Sequence, residues 1–99
     1  MTAAELDARL AEEAGPVLLD FWAPWCKPCE AIEPILEELP LPVVRVNLDD
    51  SADVAGRYGV LSLPTVVLVE NGEARAEVLG AQPRSAFERA FARWLPSAP

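Results

Sequence analysis

The chain has 99 residues, 52% of them apolar, with 16 acidic and 8 basic side chains and a net charge of −8. One domain spanning residues 1–99 is expected, since the apolar share is too high for disorder and a domain of this size buries roughly two-thirds of its unfolded surface. Nucleic acid and anionic membrane surfaces are excluded as main partners, because both require clustered positive charge and no Lys/Arg run exists.

Thr2 and Glu5 have capping-box spacing, and Leu6 and Leu10 repeat at helical spacing, so a first helix is expected until Gly15-Pro16 stops it. Val17 to Ala23 is a nearly continuous apolar run, the pattern of a strand buried on both faces. From Lys27 to Leu39 the pattern is helical, with Ile32, Ile35, Leu36 and Leu39 in one stripe and Glu30, Glu33, Glu37 and Glu38 mostly off it. Pro28 suits the first turn of that helix, whereas Pro34 lies inside it and is expected to kink it. Val43 to Leu48 forms a second strand, and Asp49 to Tyr58 a short helix capped by Asp50 or Ser51. Thr65 to Val69 is a third strand, Asn71-Gly72 a hairpin turn, and Ala74 to Leu79 an antiparallel fourth strand. A last helix opens near Pro83, with Phe87, Ala90, Phe91, Trp94 and Leu95 on one face and Ser97-Ala98-Pro99 as a tail. The order α-β-α-β-α-β-β-α implies an α/β fold with one parallel pair, one hairpin, and a central mixed four-stranded sheet flanked by helices on both faces.

The chain has no histidine, so Ser-His and Cys-His nucleophiles and imidazole zinc sites are absent. Its two cysteines, Cys26 and Cys29, stand three apart where a buried strand passes into a helix. That placement allows a short disulfide ring. It also sets Cys26 beside the free N–H groups and positive end of the helix, which favour thiolate over thiol. Cys26 is therefore the expected attacking thiolate and Cys29 the resolving thiol. Two readings stay open beside this one: half of a zinc or iron–sulfur site shared across a dimer, and a pair of buried structural thiols. Asp20 lies in an otherwise apolar strand, where a carboxylate is costly unless paired, protonated or reaching solvent at the strand end. Pro64 reads from its pattern alone as a loop proline before a strand.

Several stretches together resemble the thioredoxin family along most of the chain. They are Leu19-Asp20-Phe21-Trp22-Ala23, Trp25-Cys26 with Pro28-Cys29, Ile32 with Pro34-Ile35-Leu36, Tyr58-Gly59-Val60 with Leu63-Pro64-Thr65, Asn71-Gly72-Glu73, and Gly80. The resemblance implies a thioredoxin-like fold with a cis bond before Pro64, packed opposite the cysteines, and a Leu63 backbone that pairs with an extended substrate strand. It implies that Asp20 is a buried acid that exchanges a proton with Cys29, with Arg45 on the neighbouring strand holding it more ionised. It further implies a substrate-contacting set of Trp25, Lys27, Pro28, Leu61, Leu63, Pro64, Gly80 and Ala81. Trp22 is expected as core beneath the site, and Phe87, Phe91 and Trp94 as core elsewhere.

Three features depart from the family. Lys27 replaces the usual glycine between the cysteines and favours the Cys26 thiolate, while Glu30 opposes it. The family's first strand is expected to be missing, which would make Val43 to Leu48 a sheet edge and the protein a monomer or a weak dimer through that edge. The helix ending at Leu39 is shorter than usual, at the end away from the thiols. The expected activity is disulfide reduction by dithiol–disulfide exchange, without metal or organic cofactor. Its partners are disulfide-containing proteins and a separate reductase, and the absence of a visible signal peptide points to the cytoplasm. An oxidase, isomerase-like or partner-dedicated redox role is one alternative. A thioredoxin-fold binding module with incidental thiols is another.

Overall fold

The Thr2 side chain accepts a hydrogen bond from the Glu5 backbone N–H at 3.1 Å, and the Thr2 N–H donates to Glu5 Oε1 at 2.9 Å. Two of the free donors at the helix start are thereby satisfied, and helix α1 runs over Ala3–Ala11. The computed structural model describes residues 1–96 and continues with β1 (Val17–Trp22), α2 (Lys27–Glu38) and β2 (Val43–Asn47). After these come α3 (Ala52–Arg57), β3 (Thr65–Glu70), β4 (Glu73–Leu79) and α4 (Arg84–Phe91). Short 3₁₀ turns follow β2 (Leu48–Asp50) and α4 (Ala92–Trp94). The expected tail at 97–99 lies outside the described residues.

The strands form one sheet in the order β2-β1-β3-β4. β1 pairs parallel with β2 and antiparallel with β3, and β3 and β4 form the hairpin. The hairpin turn takes positive φ at both Asn71 (53°) and Gly72 (77°), the geometry that matches the twist of two adjoining strands. β2 and β4 are the sheet edges, so the edge position expected of β2 is observed.

The period of two along the strands separates two apolar layers. Val17, Leu19 and Phe21 of β1 face Leu6 of α1 and Val54 of α3, with Val67 and Val69 of β3. Leu18 faces the other way, onto Ile32 and Leu36 of α2 and Phe87 and Phe91 of α4. Asp20 is two residues beyond Leu18, so the same alternation turns it toward the α2 layer. Among the described residues no helix is long and apolar enough to cross a membrane.

Three local expectations are corrected. Leu48 does not extend β2: the Asn47 side chain accepts from the Asp49 N–H at 2.9 Å and turns the chain into a 3₁₀ turn. The helix expected from Asp49 to Tyr58 is only Ala52–Arg57. Ser51 is its N-cap residue but makes no capping bond, because its hydroxyl accepts from the Met1 ammonium at 2.9 Å and donates to Asp50 Oδ1 at 2.8 Å. Trp94 is only partly buried, and its indole N–H donates to Glu70 Oε1 at 3.4 Å. Helix α2 runs unbroken across Pro34.

Phe87 is fully buried at the centre of the second layer. Phe87→Ala removes its contacts with α2 and β3 and should lower unfolding stability by about 3–5 kcal/mol, read from urea denaturation at constant m-value.

Candidate active site

β1 ends at Trp22, and Ala23-Pro24-Trp25 carry the chain into α2. The Cys26 N–H donates to the Ala23 carbonyl at 3.0 Å, which closes the turn and makes Cys26 the N-cap of the helix. Its sulfur accepts from the Cys29 backbone N–H at 3.3 Å, in the position a serine or aspartate cap oxygen normally takes. Cys26 and Cys29 are joined as a disulfide, with Cα atoms 5.4 Å apart. Both are buried, Cys26 at 5% exposure and Cys29 at 2%. On reduction, the same N–H and the positive end of α2 are available to stabilise a thiolate on Cys26, the outer of the two.

Across from the disulfide, the Leu63–Pro64 bond is cis. Leu63 packs against Ala23, Cys26 and Cys29, whereas Pro64 is buried behind it. Two further bonds tie this loop down. The Gly80 N–H donates to the Pro64 carbonyl at 2.8 Å, and the Thr65 hydroxyl donates to the Ser62 carbonyl at 2.7 Å. Trp25, Cys26, Pro28, Leu61 and Leu63 line one apolar groove, together with Leu48, Val60 and Ser62. Leu61 is 98% exposed and Trp25 64%, an unusual cost for large apolar side chains unless something covers them. The Trp25 ring is nonetheless held, since its indole N–H donates to Asp49 Oδ1 at 3.0 Å.

The expected set is therefore only partly gathered. Trp25, Pro28, Leu61 and Leu63 share the groove with Cys26. Lys27 is exposed at the first position of α2 and does not line the groove. Gly80 holds the cis-proline loop from behind, and Ala81 is exposed just after it. Leu48, Asp49, Val60 and Ser62 were not among the site residues expected from sequence. They reach the site because the 3₁₀ turn after β2 and the loop after α3 meet there, and such loop placement leaves no periodic signal.

A second cleft opens on the other side of the disulfide, lined by Trp22, Cys26 and Cys29 with Glu30, Glu33 and Arg45. Trp22, expected as core, is instead half-buried at this cleft, with the Arg45 guanidinium stacked over its ring 4.2 Å from the centroid. An adjoining cleft is lined by Asp20, Glu33, Glu37 and Arg45, with Leu36 and Val43. Asp20 is 2% exposed; its Oδ2 lies 3.5 Å from Arg45 Nε, and its Oδ1 has no hydrogen-bond partner among the described residues. Burial pushes its pKa up to about 6, against the opposing pull of Arg45 and with a smaller push from Glu33. Glu33 is a further residue that sequence reasoning passed over. Its signal was the i, i+4 spacing from Cys29, which puts both on one side of α2.

The family model described as thioredoxin matches residues 1–93. The chain belongs to the thioredoxin family. Its sequence is 38% identical to thioredoxin M4, chloroplastic, of Arabidopsis thaliana, over 92% of this chain and 50% of that protein. It is 42% identical to the thioredoxin of Bacillus subtilis (strain 168), over 75% of this chain and 77% of the other. The chain spans about half the length of the plant thioredoxins it matches. Its fold superimposes on that of reduced Schistosoma mansoni thioredoxin pre-protein with a TM-score of 0.83, at 27% identity over 95% of this chain and 93% of that one. A mutant thioredoxin from Halobacterium salinarum NRC-1 gives 0.81, at 33% identity over 97% and 88%. The thioredoxin-like α/β fold expected from sequence is thus observed.

Burial of Asp20 has a consequence for stability. Between 3.8, its ordinary value, and about 6, the folded protein holds a proton that the unfolded chain has released. Stability therefore falls as pH rises through that window, and the charged carboxylate destabilises the fold above it. Asp20→Asn should raise stability by about 2–3 kcal/mol at pH 8, with the gain fading toward pH 4, measured by urea denaturation of the oxidised protein.

Proposed function

We propose that this thioredoxin-family chain is a thiol–disulfide oxidoreductase that reduces disulfides in other proteins. The observation that carries this reading is a Cys26–Cys29 disulfide whose outer sulfur caps α2 and lines an exposed apolar groove beside a cis-proline loop. In the reduced state the Cys26 thiolate attacks one sulfur of a substrate disulfide. A Cys26–substrate bond forms, the substrate S–S bond breaks, and the second substrate sulfur leaves and takes up a proton. Cys29 then gives up its proton, attacks Cys26 and displaces the first substrate sulfur, which is protonated in turn. Two electrons pass to the substrate, and the protein ends as the disulfide seen in the structure. Asp20 is the group proposed to take the Cys29 proton, through the pair of clefts that share Glu33 and Arg45.

The exposed groove of Trp25, Pro28, Leu61 and Leu63 suits extended, partly apolar substrate segments. The backbone next to the cis bond offers strand-like pairing to them. Return to the dithiol requires a separate reductant, and a reducing compartment such as the cytoplasm favours that direction. Lys27, exposed beside Cys26, supports the opposite, oxidising direction by stabilising the thiolate, and Glu30 one turn on opposes it. The equilibrium potential decides between them. Graded dithiothreitol buffers with thiol alkylation and mass spectrometry should give a two-electron transition near about −270 mV, the value known for thioredoxin itself rather than one read from this chain. A transition at about −180 to −120 mV would reverse the proposed direction of flux. Cys29→Ser should accumulate a mixed disulfide between Cys26 and substrate, whereas Cys26→Ser should accumulate none. Non-reducing electrophoresis of the two variants with a disulfide substrate reads both outcomes.

A further inference from the structure

Glu33 takes no part in the exchange chemistry above, yet it stands between its two clefts. It lies one turn beyond Cys29 on α2, and among the described residues only Glu33 and Arg45 line both the cleft at the disulfide and the cleft at Asp20. The Arg45 guanidinium is divided between two carboxylates. Its Nη2 donates to Glu33 Oε1 at 2.6 Å, a short charge-assisted hydrogen bond. Its Nε stands 3.5 Å from Asp20 Oδ2, at the outer limit of a hydrogen bond. An arginine fork can give two parallel N–H bonds to one carboxylate. Here stacking over Trp22 holds the plane, and Glu33 draws one arm of the fork away. Asp20 is left with a single long contact and one unpartnered oxygen.

The geometry points to Glu33 as a positioning residue for the resolving step: by holding one arm of the Arg45 fork, it keeps the guanidinium from closing on Asp20 and leaves that acid able to take and return the Cys29 proton. This inference rests on the exchange reading given above. The charged and titratable groups around Asp20 are few. β2 contributes Arg45, and α2 contributes Glu33 and Glu37 within the same cleft. Glu30 and the cysteines lie in the adjoining cleft. β3 pairs Val66 opposite Asp20, and α4 presents Phe87 and Phe91 to this layer, all uncharged. Glu33 acts on Asp20 in two ways of the same sign. Its own negative charge disfavours a second carboxylate nearby, and its hold on Arg45 weakens the counter-charge. The second route makes it more than a neighbouring like charge.

NMR titration of the Asp20 carboxyl carbon in reduced protein separates the two routes. Glu33→Gln should lower the Asp20 midpoint by about half a pH unit or more. In an Arg45→Met background the same substitution should have less than about half that effect, because its main route is gone. The acid limb of the pH profile for reduction of insulin disulfides should shift down in parallel with the Asp20 midpoint. An Asp20 midpoint that stays or rises in Glu33→Gln overturns the proposal. So does an equal shift in the Arg45→Met background, which would make Glu33 a plain like charge, or a pH profile that ignores the Asp20 titration. Failure of the wild-type protein to reduce insulin at any pH would instead remove the exchange reading, while the titrations still decide whether Glu33 acts on Asp20 through Arg45.

Discussion

β1 is hydrogen-bonded along both edges and covered on both faces, so its apolar side chains from Val17 to Phe21 are committed to one apolar layer or the other. This commitment governs the site. Leu19 and Phe21 secure the sheet against α1 and α3, and Leu18 secures it against α2 and α4. Asp20 cannot escape to solvent without turning its neighbours out of the core, because a shift of one residue would exchange the two faces of the strand. The carboxyl is held out of solvent by the packing of the rest of the strand, beside Arg45 and Glu33. Its altered proton affinity follows from that packing.

The disulfide sits where two environments meet. On one side the groove is apolar, with Trp25 and Leu61 exposed. On the other the cleft is polar, walled by Glu30, Glu33 and Arg45. Cys26 touches both clefts, and Cys29 touches only the polar one. This division is the structural basis for the two different roles proposed for the sulfurs. Arg45 is about half-exposed, so its ion pairs contribute little to stability.

Much of the fold was legible because its signals are local. Thr2 and Glu5 announced α1, the apolar runs announced β1 and β3, and Asn71-Gly72 announced the hairpin. The two cysteines at a strand–helix junction marked the end of α2 that carries the disulfide. What escaped was set by tertiary competition. Ser51 has the chemistry of a helix cap, but its hydroxyl is engaged by Met1 and Asp50, so α3 begins without a side-chain cap bond. Asn47 cut β2 short by bonding to the backbone ahead of it. Asp49 and Val60 joined the site through loops, whose course depends on contacts distant in sequence. Trp22 was expected beneath the site, but it lies at the cleft edge, and the Arg45 stacked on it comes from a different strand.

The spacing of the cysteines bears on how much the disulfide holds the fold together. A cross-link limits the unfolded chain according to the length of the loop it closes, and here the sequence separation is three residues. On chain-entropy grounds so short a ring contributes only about 2 kcal/mol, less than half of what a link across a whole domain would supply. The remaining cohesion comes from the two apolar layers, which do not involve the sulfurs. Opening the bond therefore leaves the scaffold standing. A change of bonding between the two sulfurs is confined to the first turn of α2.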